Sequence, residues 1–165
     1  MIDITYKYSE HMTRAIRDYH HNSMRFWVSN GIGLAIVLLE LILYIRSSNA
    51  YMLGIALFVL VLLGLSYLLS GYVQPRKFAS DKRYAKPFTL TAGETDIRLK
   101  SEDLDKQTKW SDIRKVWETP RYYLLFLDET QFWIAPKEVF ESREQEEQFR
   151  QIVGRHQTIR RGLIR

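Results

Sequence analysis

Glu40 is the only charged side chain between Phe26 and Ile45, inside an otherwise apolar run. A carboxyl group among apolar neighbours can take up and release a proton or hold a partner helix, because its charged form is costly there. The structural alternative puts it about one and a half turns from the outer end of a helix, within reach of water or a hydroxyl partner. A second concentration is Arg76, Lys77, Lys82, Arg83 and Lys86, directly after another apolar run. Cations in that position attract anionic lipid at about 1 kcal/mol each near the surface. They also set helix orientation.

The other chemically suggestive residues carry less. Ser111 and Asp112 are a hydroxyl and an acid side by side, with no histidine nearby in sequence to act as base. His20 and His21 are adjacent, so a helix points them about 100° apart, and His11 and His156 stand alone. None has the spacing of a metal pair. Trp110, Trp117 and Trp133 can form an aromatic ligand surface or the core and rim of a small barrel. Asp103, Asp105, Asp128 and Glu129 fall in polar turns, where solvation is expected. With no cysteine, the chain has no disulfide, no thiol nucleophile and no cysteine zinc site. No catalytic residue, metal site or cofactor is expected, and the chain reads as a non-enzyme.

The elements that must position these residues begin with two apolar runs, 26–45 and 50–73, joined by Arg46, Ser47, Ser48 and Asn49. Each is long enough at about 1.5 Å per residue to cross a hydrocarbon core of roughly 30 Å. Lys7, Arg14, Arg17 and Arg25 precede the pair, the basic cluster follows it, and only Arg46 lies between. That asymmetry predicts a transmembrane hairpin with both termini cytoplasmic. Phe26, Trp27, Tyr44, Tyr51 and Tyr72 fall where interfacial anchors belong. Gly31 with Ala35, and Ser66 with Ser70, have the small-residue spacing of close helix contacts. A cleaved signal peptide is not expected, since the first run is long and preceded by Asp3, Glu10 and Asp18. The net charge of +5 suits an anionic membrane surface, and no nucleic-acid motif accompanies it.

Residues 1–25 read as a strand and an amphipathic helix. Ile2, Ile4, Tyr6 and Tyr8 alternate with polar residues, and Ser9 is a candidate N-cap for a helix from Glu10 to His21. Its Met12, Ile16 and Tyr19 face can lie on the membrane, pack on a soluble domain, or the helix can run on into the hairpin. Residues 74–86 read as a basic linker. Residues 87–157 read as short antiparallel strands and a C-terminal helix. Ser142 with Gln145 has capping-box form, and Phe149, Ile152, Val153 and His156 make one face. Residues 158–165 are a basic tail, either returning to the membrane or disordered. The layout predicts an α+β membrane protein: a two-helix hairpin plus a pleckstrin-homology-like antiparallel barrel plugged by its helix, with the N-terminal strand as a possible addition.

The segments Phe88-Thr-Leu-Thr, Ile97-Arg-Leu-Lys, Trp110-Ser-Asp-Ile113, Tyr123-Leu-Leu and Phe132-Trp-Ile-Ala-Pro136-Lys, with Phe140, resemble the YcxB-like family of small bacterial membrane proteins. That resemblance implies two helices, a cytoplasmic C-terminal domain and the bacterial plasma membrane. It implies no activity and supplies no catalytic positions. The family is also similar to bacterial pleckstrin-homology-like membrane proteins, some linked to resistance against membrane-active bacteriocins. The leading expectation is a membrane-anchored module whose domain binds a protein, peptide or lipid headgroup at the inner leaflet. Its partners would be the bilayer and its anionic lipid, with a protein partner or a homo-oligomer. The alternatives are a resistance or immunity protein, and a transporter or channel subunit using Glu40, which would need several copies because two helices enclose no path.

Overall fold

The computed structural model describes residues 1–69, 73, 84–129 and 131–161. Its elements are β1 (Ile2–Lys7), α1 (Tyr8–Asn22), α2 (Met24–Ser47), α3 (Ala50–Leu68), β2 (Pro87–Ala92), β3 (Asp96–Lys100), β4 (Asp105–Lys109), β5 (Lys115–Glu118), β6 (Tyr122–Phe126), β7 (Phe132–Pro136), α4 (Arg143–His156) and β8 (Ile159–Arg161). Single turns of 3₁₀ helix sit at Trp110–Asp112 and Lys137–Val139.

The alternation of Ile2, Ile4 and Tyr6 makes β1 a strand with one buried face. It pairs antiparallel with β2, from Ile2 opposite Ala92 to Lys7 opposite Pro87. The apolar hairpin is therefore an insertion between two neighbouring strands. β2, β3 and β4 complete a four-stranded sheet, and β7, β6, β5 and β8 form a second. This corrects the expectation of one antiparallel barrel. Pairing does not close the two sheets into a barrel, and β8 runs parallel to β5, Val116 opposite Ile159. The tail segment Ile159–Arg161 is thus a strand; Leu163, Ile164 and Arg165 lie outside the described residues.

The seam between β1 and the outer edge of β7 is bridged by side chains. The Tyr6 hydroxyl donates to the Ile134 carbonyl oxygen. The Ile134 N–H donates to the Tyr8 hydroxyl at 3.2 Å. The edge peptide of β7 is thereby satisfied without another strand, as buried backbone groups require. Burial holds both phenols well above their usual pKa.

α1 starts at Tyr8, with Lys7 as N-cap and no side-chain cap, rather than at Ser9–Glu10. Tyr8 is 4% exposed and stacks near Tyr6, Tyr84 and Phe88. Tertiary packing of that ring overrides the capping preference of Ser9. Of the three settings open to this helix, it packs on the soluble domain: His11 meets Tyr122, and Tyr19 meets Trp117, Phe126 and Phe132. One residue, Ser23, separates it from α2.

β6 is buried at all five positions because it is covered on both faces. Tyr122 and Phe126 face α1, while Tyr123 meets Phe149 of α4 at 5.3 Å. α4 begins as expected. Ser142 Oγ accepts from the Gln145 N–H at 3.2 Å, and Gln145 Oε1 accepts in turn from the Glu141 N–H at 2.7 Å. Phe149, Ile152 and Val153 are its buried residues. The strand kink expected at Ser111-Asp112 is the first 3₁₀ turn.

α2 and α3 form an antiparallel pair, long and apolar enough by length and composition to cross a membrane. The turn uses Ser48 at φ 53° and Asn49, whose side chain accepts from the Tyr51 N–H. The expected close contact at Gly31 and Ala35 is displaced. A Cβ on Gly31 would meet nothing within 4 Å, whereas one on Gly33 would stand 2.7 Å from the Leu63 side chain. The seam follows Gly33, Val37 and Glu40 at helical spacing. The partner of Gly33 is Leu63, so seven residues along each helix bring Glu40 level with Ala56, which is 1% exposed. The second helix was expected to reach Val73; the regular α-helix ends at Leu68, and residues 70–72 lie outside the described set.

Candidate functional site

The basic cluster anticipated from the sequence falls mainly outside the described residues: Arg76, Lys77, Lys82 and Arg83 all do. Lys86 is described, and it is engaged. Its ammonium stands 3.1 Å from Glu102 and 2.7 Å from Asp103, which hold its pKa above the usual lysine value. Asp103 is therefore paired rather than merely solvated. Asp105 likewise forms a two-point contact with Arg98, which pulls its carboxyl pKa down. Asp128 accepts from the Gln131 N–H. Glu40 Oε2 is buried and has no hydrogen-bond partner among the described residues. Ser111 Oγ lies 3.3 Å from Asp112 Oδ1 on the surface.

Two tryptophans have structural roles. Trp110 is 2% exposed, donates to the Gly93 carbonyl oxygen at 3.0 Å and stacks flat on His156. Trp117 is half-buried against Tyr19. A charge network missed in the sequence joins α4 to the second sheet: Lys137 and Arg150 both pair with Glu118, and Tyr123 donates to Glu146. Its members come from four separate segments and satisfy one another, so it fastens the helix.

The feature that is left open is a cleft of about 840 Å³ where the domain meets the foot of the hairpin. That volume is in the usual range of small-molecule sites. α1 supplies Met12, Ile16, Tyr19 and His20; the α1–α2 junction supplies Ser23 and Phe26. Leu99, Leu104 and Lys106 line it from β3, the following loop and β4, and Leu127, Phe132 and Trp133 from the β6–β7 hairpin. Asn30 of α2 and Ser66 of α3 complete the wall on the hairpin side. Burial, and then the neighbouring His21, hold the His20 pKa below its usual value, which favours the uncharged ring. Among the described residues the lining is thus aromatic and aliphatic with a few polar groups and one ammonium.

His11 lies behind this wall. Its Nδ1 is 3.3 Å from Glu138 Oε1 without hydrogen-bond geometry, and its side chain is 8% exposed. Burial lowers its pKa, and the largely exposed Glu138 offsets this only partly. The released state of α1 therefore binds protons more readily than the docked one. The stability His11 supplies is full above its ordinary pKa near 6.5 and is lost as pH falls through the depressed value. His20 acts in the same direction. The melting temperature should fall between pH 7.5 and 5.5, and His11→Asn should lessen that fall, read by thermal unfolding of the intact protein in detergent. An equal fall in both proteins would remove His11 from the account.

An apolar helical hairpin set between two strands of a two-sheet α+β domain is the class that this architecture defines. The model of the YcxB-like protein family matches residues 93–153, from the β2–β3 turn into α4, so the resemblance carried by Ile97, Trp110, Tyr123 and Phe132 is shown over that stretch. No curated protein and no solved structure matches the chain.

Proposed function

We propose that the chain is a non-enzymatic, membrane-anchored binding module in a bacterial plasma membrane, with its pleckstrin-homology-like domain at the inner leaflet. The observation that carries this reading is the β1–β2 pairing around the hairpin. If α2 and α3 cross a bilayer, strands hydrogen-bonded to each other must lie on one side of it. The domain is then tied at two points to the foot of the hairpin, and its cleft opens beside the membrane. The excess of Lys and Arg on both flanks of the hairpin, against Arg46 alone between the two apolar runs, supports a cytoplasmic placement of that side. Seven strands in antiparallel order, four in one sheet and three in the other before β8 is added, with a C-terminal helix, support the pleckstrin-homology-like reading.

A photoreactive residue at Leu104, on the cleft rim, should crosslink to a membrane component in native membranes. One at Ser111, at the opposite end of the strands, should not. Equal crosslinking at both positions, or none at either, counts against a binding role for the cleft. The second reading, a subunit of an oligomeric transporter or channel, is favoured by one observation: the unpartnered Glu40 oxygen inside the hairpin.

A further inference from the structure

We infer that the cleft holds a phospholipid from the adjacent leaflet, one acyl chain lying among its aromatic and aliphatic walls and an anionic headgroup facing Lys106. The inference rests on the membrane-anchored reading and names the ligand of that site.

Three observations carry it. The first is continuity. Phe26, Asn30 and Ser66 belong both to the cleft wall and to the inner ends of α2 and α3. Those helices expose Trp27, Val28 and Leu65 near the same ends. A lipid beside the hairpin would enter sideways without leaving an apolar surface, so no separate desolvation step opposes it. The second is the lining. Met12, Ile16, Phe88 and Phe132 offer apolar contact, and Ser23 and Gln131 are polar residues in the same lining. An acyl chain has no backbone N–H or C=O groups to satisfy in such a place, whereas a peptide would.

The third is charge. Lys106 lies on β4 opposite Leu99. Lys86, just before β2, and Arg98 on β3 are each matched by carboxylates. Lys106 forms no ion pair among the described residues and lines the cleft. Among the described residues that line the cleft, this ammonium is the one fixed charge, and it suits a phosphate. Lysine binds phosphate as a point charge, without demanding one headgroup geometry.

The test uses the intact protein in nanodiscs of mixed phosphatidylcholine and phosphatidylglycerol, released and weighed by native mass spectrometry. The wild type should retain one phospholipid per chain, with phosphatidylglycerol enriched over its share of the bilayer. Lys106→Gln should keep the lipid but lose about five-fold of that enrichment, as expected for one ammonium near a lipid surface. Ile16→Trp should fill the cleft and lower retention of either lipid. Should Ile16→Trp fail to fold, Lys106→Gln still decides, because its side chain is exposed and outside the core. A wild type that retains no lipid, or enrichment unchanged in Lys106→Gln, overturns the inference. Alkaline extraction of the same proteins separates the two readings. A chain stripped from the membrane by alkali contradicts the membrane anchor itself. A chain that stays but retains no lipid contradicts only the lipid assignment.

Discussion

Replacing Phe149 with Ala should lower the unfolding free energy by about 3–5 kcal/mol, the range for a large aromatic removed from a packed core. The ring is 1% exposed and sits 5.3 Å from both Tyr123 and Phe140, which also face each other. It is the main side chain by which α4 seats on the second sheet, with Ile152 and Val153 one turn further on. Truncation would leave a cavity bordered by β6, whose other face is already filled by α1. The sheet therefore has little room to collapse into the gap, and the cost should fall toward the upper end of the range. Denaturant unfolding of the intact protein in detergent gives the number. Glu147→Ala, exposed on the same helix, should stay within about 0.5 kcal/mol of the wild type. A loss below about 1 kcal/mol for Phe149→Ala would mean that the helix is not seated as described.

The second large effect concerns the seam between the sheets. Tyr6→Phe and Tyr8→Phe each keep a ring and delete a hydroxyl. Each deletion leaves one backbone group of Ile134 buried and unpaired, which costs about 1–3 kcal/mol. Because both hydroxyls serve one residue, the double variant should depart from the sum of the singles. Hydrogen exchange distinguishes them. Tyr8→Phe removes the acceptor of the Ile134 N–H, so exchange at that amide should quicken. Tyr6→Phe removes a donor to the carbonyl and should affect that amide less. Unchanged exchange at Ile134 in Tyr8→Phe would contradict the bridged seam.

Much of this architecture was legible because it rests on short-range pattern. The alternation of Ile2, Ile4 and Tyr6, the apolar runs on either side of Ser48, and the Ser142–Gln145 cap each express a local rule, and each holds. What was not legible depends on contacts between distant segments. Ser9 is a better cap than Lys7, but the place Tyr8 fills beside Phe88 and Ile134 moves the helix start forward. Gly31 and Gly33 are equivalent as letters; only the rotation of α2 against Leu63 selects one. β8 is three residues in an arginine-rich tail, and it exists as a strand because β5 offers an open edge. Lys86 resembles its neighbours in the basic cluster until the fold brings Glu102 and Asp103 against it. The cleft is the clearest case. Its walls come from α1, both hairpin helices and both sheets, so no single window of sequence announces it.

The central claim is that the strands flanking the hairpin stay together on the cytoplasmic side while the turn between α2 and α3 crosses to the other. Cysteine accessibility tests it most directly, because the chain contains no cysteine of its own. Ser47→Cys, at the end of α2 beside the turn, should react with a membrane-impermeant maleimide in intact bacterial cells. Asp3→Cys on β1 and Ser111→Cys after β4 should react only once the membrane is opened. Labelling of Ser111→Cys or Asp3→Cys in intact cells, or protection of Ser47→Cys there, would contradict the account.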